Sequence, residues 1–327
     1  MLFDLAPKEK AEELWAYDSL LKRSKEMIQI PTPLIIVTGQ RWIGKTSFAK
    51  VLFNQLPGPK VWVEGKQNPT KRQILVSVLS TLPLEQEAIL SLQHLKASKL
   101  ERLVEPYSNQ KIWLFVDDAH LITNVRMQEL LELLYDLFFK LCVVLIAPKS
   151  SIKRRILKKA RFYSMFGRIK DTIQIKPFDL NISTNFLKKG FEEHKKKISN
   201  EEAEIMAKET EGVPGWLCLY GNLRLNHSRK EALHLFYKRA ERKVRAALLD
   251  FFATRETARR RYEFILQGVR EGYSSWSYLK SYVENKLGKT LTDSKFNHYL
   301  QALEDAAFLV KESGEYSIPD PMIRRFF

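Results

Sequence analysis

The run GQRWIGKTS, from Gly39 to Ser47, has the residue types and the spacing of a phosphate-binding loop. Gly39 and Gly44 allow the backbone to curl so that its N–H groups point inward, which makes a nest for an anion at the start of a helix. Lys45 would then reach the β- and γ-phosphates of a nucleotide, and the Thr46 hydroxyl would bind Mg²⁺. The residues expected to contact the nucleotide are Gly39, Gln40, Arg41, Trp42, Ile43, Gly44, Lys45, Thr46 and Ser47.

Two elements flank this loop in the sequence. PLIIVTG before it is typical of a buried strand, and KTSFAKVLFNQL after it has the apolar spacing of an amphipathic helix. A strand that passes through glycines into a helix is the context that a P-loop requires. The sequence therefore predicts a nucleotide site, with ATP and Mg²⁺ as the expected ligands.

A second apolar strand, in KIWLFVDDAH, ends in two acids. Phosphoryl transfer needs a carboxylate that holds Mg²⁺ and a group that orients the attacking water, and Asp117 and Asp118 suit these two roles. Hydrolytic ATPases of this type usually have Glu where Asp118 stands, so the shorter side chain predicts slow turnover. Arg168 is a candidate contact to the nucleotide, from the same chain or from a neighbouring subunit.

Strands and helices alternate through the first half of the chain. The expected strands are 34–37, 60–64, 112–116, 142–147 and 172–175, and helices are expected near 45–56, 70–81, 86–103, 124–140 and 151–162. This alternation predicts an α/β fold in which helices cover both faces of a parallel sheet. Residues 8–29 have the periodicity of a helical arm.

The strand pattern stops after Pro177. Helices are expected at 182–195, 200–210 and 215–225, followed by a long basic helix over 229–254. The last ninety residues predict three helices and a two-stranded wing, which is a winged helix-turn-helix. The expected domains are an N-terminal arm (1–30), a P-loop core (31–177), a helical lid (178–228), and a linker helix with the winged helix (229–327).

The net charge of +16 is concentrated in the second half of the chain, where residues 151–327 carry 35 Lys and Arg against 22 Asp and Glu. Basic clusters lie at 149–161, 194–197, 239–245 and 255–261, and together they favour contact with the phosphates of duplex DNA. The helix expected at 293–306 carries acids beside Asn297, His298 and Gln301, so the winged helix suits DNA or a protein partner equally.

The remaining composition indicates a cytoplasmic protein without a membrane span. The most apolar stretch, 130–147, contains three charged residues on one helical face. Cys142 and Cys218 lie in apolar surroundings and form no metal-binding pattern, which is typical of reduced cysteines in a core.

Taken together, these motifs resemble the archaeal ATPase family in the AAA+/STAND branch of P-loop ATPases, across nearly the whole chain. The resemblance rests on GQRWIGKTSFAKVL, FVDDAH, the Gly-x-Pro run EGVPGWLCLYG and the ending YSIPDPMIRRFF. It implies an AAA+-like core with a helical lid and a C-terminal winged helix. It also implies that Pro214 starts a lid helix whose N-terminus faces the nucleotide.

The resulting expectation is a slow, Mg²⁺-dependent ATPase that acts as a nucleotide-driven switch in a DNA-associated process. It would bind ATP and ADP, contact duplex DNA through its basic half, and exist as a monomer or a nucleotide-dependent oligomer. Two alternatives remain open: a STAND-type signalling or defence switch whose winged helix binds protein, and a nucleotide-binding scaffold with negligible hydrolysis.

Overall fold

A computed structural model describes residues 1–29, 34–107, 111–137, 141–148, 151 and 172–327. These residues form two compact units. The sheet unit comprises residues 7–39 and 45–175, and the helical unit comprises residues 1–6, 40–44 and 176–327. Among the described residues, no helix has both the length and the apolar composition needed to cross a membrane.

Five parallel strands form the centre of the sheet unit. They are β1 (Leu34–Thr38), β2 (Lys60–Glu64), β3 (Ile112–Asp117), β4 (Leu141–Ile146) and β5 (Thr172–Gln174), in the order β2-β3-β4-β1-β5. Every residue of β1, β3 and β4 is buried because these central strands are covered on both faces. The α/β fold with a parallel sheet is therefore confirmed.

Six helices of the sheet unit are described. They are α1 (Asp18–Gln29), α2 (Lys45–Gln55), α3 (Lys71–Leu79), α4 (Gln86–Ser91), α5 (Ala97–Val104) and α6 (Asn124–Asp136). Short 3-10 turns lie at Ala11–Glu13, Gly65–Gln67, Leu92–His94, Glu105–Tyr107 and Ala119–Leu121. Leu75 of α3 and Leu131 of α6 pack with Leu114 of β3 in one core cluster.

Two predicted helices differ from the observed ones. The expected helix over 8–29 begins only at Asp18, because Ala16 has a left-handed backbone with φ of 59° that interrupts the helix. The expected helix over 86–103 is divided into α4 and α5 by the 3-10 turn at Leu92–His94. The helix expected at 151–162 lies outside the described residues beyond Ser151.

The helical unit contains eight helices among its described residues. They are α7 (Leu180–Glu193), α8 (Asn200–Thr210), α9 (Pro214–Arg224), α10 (Arg229–Phe252), α11 (Arg259–Arg270), α12 (Trp276–Leu287), α13 (Asp293–Asp305) and α14 (Pro321–Phe326), with a 3-10 turn at Glu256–Ala258. The long helix α10 is amphipathic, since Ala232, Phe236, Ala240, Val244 and Leu248 recur every four residues and are all buried.

The last three long helices and two short strands form the predicted winged helix. Strands β6 (Val310–Glu312) and β7 (Glu315–Ser317) are antiparallel and are joined by a turn at Ser313 and Gly314. The Tyr316 N–H donates to the Ser274 carbonyl at 2.8 Å, so the segment before α12 extends this wing. The Thr292 hydroxyl caps α13 by accepting the Lys295 N–H.

Candidate functional site

The predicted phosphate loop connects β1 to α2, where Thr38 ends the strand and Lys45 begins the helix. Gly44 has φ of +91°, a conformation that glycine adopts without strain. A Cβ placed on Gly44 would have no atom within 4 Å, so open space lies beside this part of the loop. Trp42 also has a positive φ, of 54°, although it is not a glycine.

The Thr46 hydroxyl donates a hydrogen bond of 2.9 Å to Oδ2 of Asp117. Thr46 lies in the first turn of α2, and Asp117 is the last residue of β3. Two of the residues predicted to bind Mg²⁺ therefore lie within hydrogen-bonding distance of each other in the sheet unit. A hydroxyl beside a carboxylate at a strand end is a set of oxygen donors that suits Mg²⁺, which usually completes its coordination with water and substrate phosphates.

The Asp117 carboxylate is buried, with 5% of the residue exposed. Burial raises the pKa of Asp117 above its ordinary value, and the negative charges of Asp118 and Glu64 raise it further, while hydrogen bonds from Thr46 and the Asp118 N–H oppose the shift. A divalent cation beside the carboxylate would favour its ionised form. The charge of this site therefore suits a cation.

The backbone holds Asp118 in one conformation. Its φ of 48° is left-handed, and its N–H donates to Oδ1 of Asp117 at 2.9 Å. A Cβ on Gly65 would lie only 2.5 Å from the Asp118 carbonyl oxygen, so glycine is required at position 65 for this close approach. Asp117 and Asp118 are consequently fixed relative to the end of β3.

Several loop residues can contribute only backbone groups or are already bonded. Ile43 is fully buried, so its side chain has no access to a ligand in solution. The Ser47 hydroxyl accepts the N–H of Lys8 at 3.1 Å, which ties the N-terminal arm to α2. Gly39, Gln40 and Lys45 are partly exposed.

Residues 40–44 of the loop belong to the helical unit, and Arg41 and Trp42 make its contacts. The Arg41 Nε donates to the Ala306 carbonyl at 2.9 Å, and its guanidinium lies 4.4 Å from the centre of the Phe308 ring. The Trp42 carbonyl accepts the Gly215 N–H at 2.9 Å, and the Trp42 ring lies 4.5 Å from the ring of Trp216.

The Gly-x-Pro run forms the predicted entry into a helix. Pro214 is the first residue of α9, where its fixed φ suits a helix start. Gly212 has φ of +69°, and a Cβ there would lie 1.9 Å from the Phe178 carbonyl oxygen, so the tight entry does require glycine. The neighbouring Gly215 N–H bonds to Trp42, so the start of α9 contacts the phosphate loop.

Arg168, the predicted arginine contact, lies outside the described residues. No group of three or more His, Cys, Asp or Glu side chains within the described part of the chain is arranged to hold a metal ion.

Sequence reasoning missed the residues that hold the loop from the helical unit. The Trp216 Nε1 donates to Oδ2 of Asp320 at 2.9 Å, and these residues are 104 positions apart. Gly215 offered a signal, because a glycine in the first turn of a helix often marks a close approach of another backbone. Asp320, within the run IPDP, offered none beyond its place as a helix cap.

Family models match two parts of the chain. Residues 31–156 match the AAA domain family, and residues 256–318 match the family described as the MCM protein C-terminal winged helix-turn-helix domain. The comparison with curated proteins finds no match.

Solved structures share the fold over almost the whole chain. A Walker-type ATPase of Pyrococcus abyssi is 23% identical, with a TM-score of 0.83 over 100% of this chain and 99% of that one. Cdc6p of Pyrobaculum aerophilum is 13% identical, with a TM-score of 0.54 over 98% of this chain and 95% of that one. A point variant of RuvB from Thermotoga maritima is 13% identical, with a TM-score of 0.53 and 96% coverage of both chains.

These matches agree with the geometry of the two units. The parallel sheet, the loop between β1 and α2 and the strand that ends at Asp117 all lie within the AAA match, and α11 to α13 with the wing coincide with the second match. The chain therefore combines a parallel α/β core that is similar to the AAA domain family with a C-terminal part that is similar to an MCM-type winged helix-turn-helix domain.

Proposed function

We propose that the protein binds and slowly hydrolyses ATP with Mg²⁺ and acts as a nucleotide-driven switch in a DNA-associated process. The loop from Gly39 to Ser47 binds the phosphates through its N–H groups, and Lys45 contacts the β- and γ-phosphates. Bound Mg²⁺ would neutralise developing negative charge on the phosphates, and Thr46 and Asp117 would hold it. Asp118 orients the attacking water, and Arg168 contacts the nucleotide.

The hydrogen bond between Thr46 and Asp117 is the observation that carries this proposal. It places the hydroxyl after the glycine-rich loop beside the carboxylate at the end of β3, although the two residues are 71 positions apart. If Asp117 were only a solvated acid at the end of a strand, no hydroxyl from the start of α2 would be needed beside it. A Cβ on Gly44 would meet no atom within 4 Å, so this part of the loop has the open space that a phosphate would need.

Nucleotide binding is tested by a matched pair of lysine substitutions in α2. Lys45→Ala should lose most of the thermal stabilisation that Mg²⁺-ATP gives, because a ligand stabilises the folded state less when it binds more weakly. Lys50→Ala is the control, since Lys50 lies in the same helix but pairs with Glu9 at 2.8 Å. Equal stabilisation of Lys45→Ala and the parent protein would refute the proposed phosphate site.

In the proposed switch, the chain is divided into four segments. We propose that residues 31–177 form the ATPase core and that residues 178–228 form a lid in which Pro214 starts the helix facing the nucleotide. The arm (1–30) and the linker helix with the winged helix (229–327) complete the chain. Closure of such a lid over ATP gives the two-state element that a nucleotide switch needs.

The exposed face of α10 supports the DNA-associated part of the proposal. It carries seven exposed cations: Arg229, Lys230, Lys238, Arg239, Arg242, Lys243 and Arg245. Arg245 pairs with Glu241, whereas Lys238, Arg239, Arg242 and Lys243 form no ion pair with another described residue. These four cations lie within two turns of a helix whose opposite face is packed, so they form one basic surface. The basic cluster at 149–161 lies mostly outside the described residues.

The α13 helix offers less to a DNA base pair. Its exposed residues include Asp293, Asn297 and Gln301, but the Asn297 side-chain oxygen already accepts the Trp276 Nε1 at 2.7 Å. Base readout depends on side chains with unoccupied donors and acceptors in the groove. We therefore expect contacts to phosphates through α10 to exceed base contacts through α13.

A mobility-shift titration across salt concentrations tests this DNA contact. Changing Lys238, Arg239, Arg242 and Lys243 to Gln should weaken binding to duplex DNA. The slope of the logarithm of the binding constant against the logarithm of the salt concentration should become less steep, by as much as about 3.6 if all four cations contact phosphates. Changing the exposed Lys22, Arg23, Lys99 and Arg102 of the sheet unit to Gln removes the same charge and should have little effect. Changing Asn297 and Gln301 should also have little effect.

A second candidate function is a signalling or defence switch whose winged helix binds a protein. The acidic residues of α13 favour it, since Asp293, Glu304 and Asp305 accompany a single cation, Lys295. No retardation of duplex DNA at low salt, with or without ATP, would refute the DNA role and favour this one.

A further inference from the structure

Trp42 occupies a backbone conformation that its side chain disfavours. A nest of inward N–H groups forms where left-handed residues alternate with ordinary ones, and Trp42 and Gly44 are the left-handed residues on either side of Ile43. Glycine adopts this conformation readily, but a residue with a bulky side chain does so only when its surroundings impose it. The anion-binding shape of the loop therefore depends on whatever holds Trp42.

Two neighbouring residues of α9 hold Trp42 within the helical unit. The Gly215 N–H donates to its carbonyl at 2.9 Å, and the Trp216 ring lies 4.5 Å from its ring. A Cβ on Gly215 would lie 2.7 Å from the Trp42 carbonyl oxygen, so only glycine allows this approach. Contacts on both the backbone and the side chain fix the φ and the ring position of Trp42 together.

Trp216 is held in turn by the last segment of the chain. Its Nε1 donates to Oδ2 of Asp320, while Oδ1 of Asp320 accepts the N–H groups of Met322 and Ile323 at 2.9 and 3.0 Å. Trp216 and Asp320 are both almost completely buried, so this bond is shielded from water. A continuous set of contacts thus joins α14 through Trp216 to the phosphate loop.

Arg41 adds a second connection from the loop to the winged helix. Its Nε donates to the Ala306 carbonyl at the end of α13, and its guanidinium lies on the ring of Phe308, just before β6. Adjacent loop residues are therefore anchored to two parts of the helical unit, Trp42 to α9 and Arg41 to the winged helix. The positive charge of Arg41 also favours the ionised form of Asp320 and lowers its pKa against the larger opposite effect of burial.

We propose that Trp216 and Asp320 are positioning residues for nucleotide binding, which keep Trp42 left-handed and so maintain the anion-binding form of the loop. The inference rests on the proposed function in one respect, that the loop binds a nucleotide. It adds that the C-terminal segment sets the nucleotide affinity without contacting the nucleotide. By thermodynamic reciprocity, nucleotide binding must strengthen the attachment of this segment by the same factor.

The first test measures the dissociation constant of Mg²⁺-ATP by isothermal titration calorimetry on the full chain. Trp216→Phe removes the indole donor but keeps a ring. Asp320→Asn replaces the charged carboxylate that accepts this indole N–H with a neutral amide, which has only one acceptor oxygen. Each should weaken binding about tenfold, the effect of losing one charge-assisted hydrogen bond. Trp276→Phe is the matched control, because it removes an indole donor from the Asn297 bond elsewhere in the unit and should leave affinity unchanged.

A second background separates positioning from a general loss of structure. In Trp42→Gly the loop adopts the left-handed conformation without assistance, so adding Asp320→Asn should change the affinity less than twofold. If Asp320→Asn weakens binding equally in both backgrounds, or if neither Trp216→Phe nor Asp320→Asn weakens binding in the parent protein, the inference is wrong. Lys45→Ala tests the nucleotide site separately, since its failure to weaken binding would refute the site itself and not the role of Trp216.

Discussion

The Gly215 N–H donates a hydrogen bond of 2.9 Å to the carbonyl oxygen of Trp42. This bond uses an acceptor of the phosphate loop, whereas phosphates are held by the donors of such a loop. The contact therefore does not compete with a nucleotide for the same groups. It can persist while the site is occupied, as a positioning contact must.

The hydroxyl of Thr46 should determine the Mg²⁺ dependence of nucleotide binding. Thr46→Ser keeps the hydroxyl beside Asp117 and should bind Mg²⁺-ATP like the parent protein. Thr46→Ala leaves the buried Asp117 carboxylate without its Thr46 donor. It should weaken the affinity for Mg²⁺ about 10- to 100-fold, so that a higher Mg²⁺ concentration is needed for half-maximal ATP binding. Titrating Mg²⁺ at fixed ATP measures this difference, and identical curves for the two variants would exclude the hydroxyl as a ligand.

Asp118→Asn should abolish ATP hydrolysis while ATP remains bound. Asn tolerates the left-handed φ of 48° as well as Asp does, so the backbone at the end of β3 should not change. The amide cannot accept a proton from water as a carboxylate can, which removes the proposed orienting group. Phosphate release and ATP binding should be measured on the same sample. Turnover equal to that of the parent protein would assign Asp118 a structural role only.

Protonation of Asp320 should stabilise the protein at mildly acidic pH. Burial raises the pKa of Asp320 to about 6, above the ordinary value of 3.8. The folded state therefore binds this proton more tightly than the unfolded state, so this group's contribution to stability grows as the pH falls from above 6 towards 4. The full change is on the order of 3 kcal/mol.

The comparison of the parent protein with Asp320→Asn isolates this contribution. Thermal midpoints without nucleotide should be measured between pH 4.5 and 7.5. As the pH falls, the thermal midpoint of the parent protein should rise relative to that of Asp320→Asn. A difference that is constant over this range would show that Asp320 titrates near its ordinary pKa.

Phe3→Ala should destabilise the helical unit by about 3–5 kcal/mol, the usual cost of removing a buried aromatic ring. Phe3 is 1% exposed and its ring contacts the rings of Phe186 and Phe191. A Cβ on Gly190 or Gly221 would lie within 2.5 Å of that ring. Leu5→Ala is the control, because Leu5 is 50% exposed and should change the thermal midpoint little.

Local sequence patterns predicted most of the sheet unit. The strands β1, β3 and β4 are short apolar runs bounded by polar residues, and their bounds agree with prediction within one residue. The pair of Thr46 and Asp117 was also predictable, because parallel strands bring their carboxyl ends to one edge of a sheet. The winged helix was predictable from the cap at Thr292 and the turn at Ser313.

Contacts between distant parts of the chain were not predictable in the same way. The bond of Trp216 to Asp320 joins residues that are far apart in the sequence, and neither residue departs locally from an ordinary helix position. The left-handed Ala16 that ends the expected arm helix has no glycine or proline to indicate it. These features depend on packing, which a single sequence reveals only where a glycine is forced, as at Gly215.

The packing around the Phe3 ring makes it possible to create a cavity in the helical unit. The Leu2 N–H donates to Glu193 at 2.7 Å and the Asn222 side chain donates to the Phe3 carbonyl, so the backbone would keep its place after the ring is removed. Phe3→Ala would then leave an apolar hole the size of a benzene ring, and such holes stay dry and accept small aromatic molecules. Benzene or a similar compound should restore the thermal midpoint of Phe3→Ala, which would place the stability of the helical unit under chemical control.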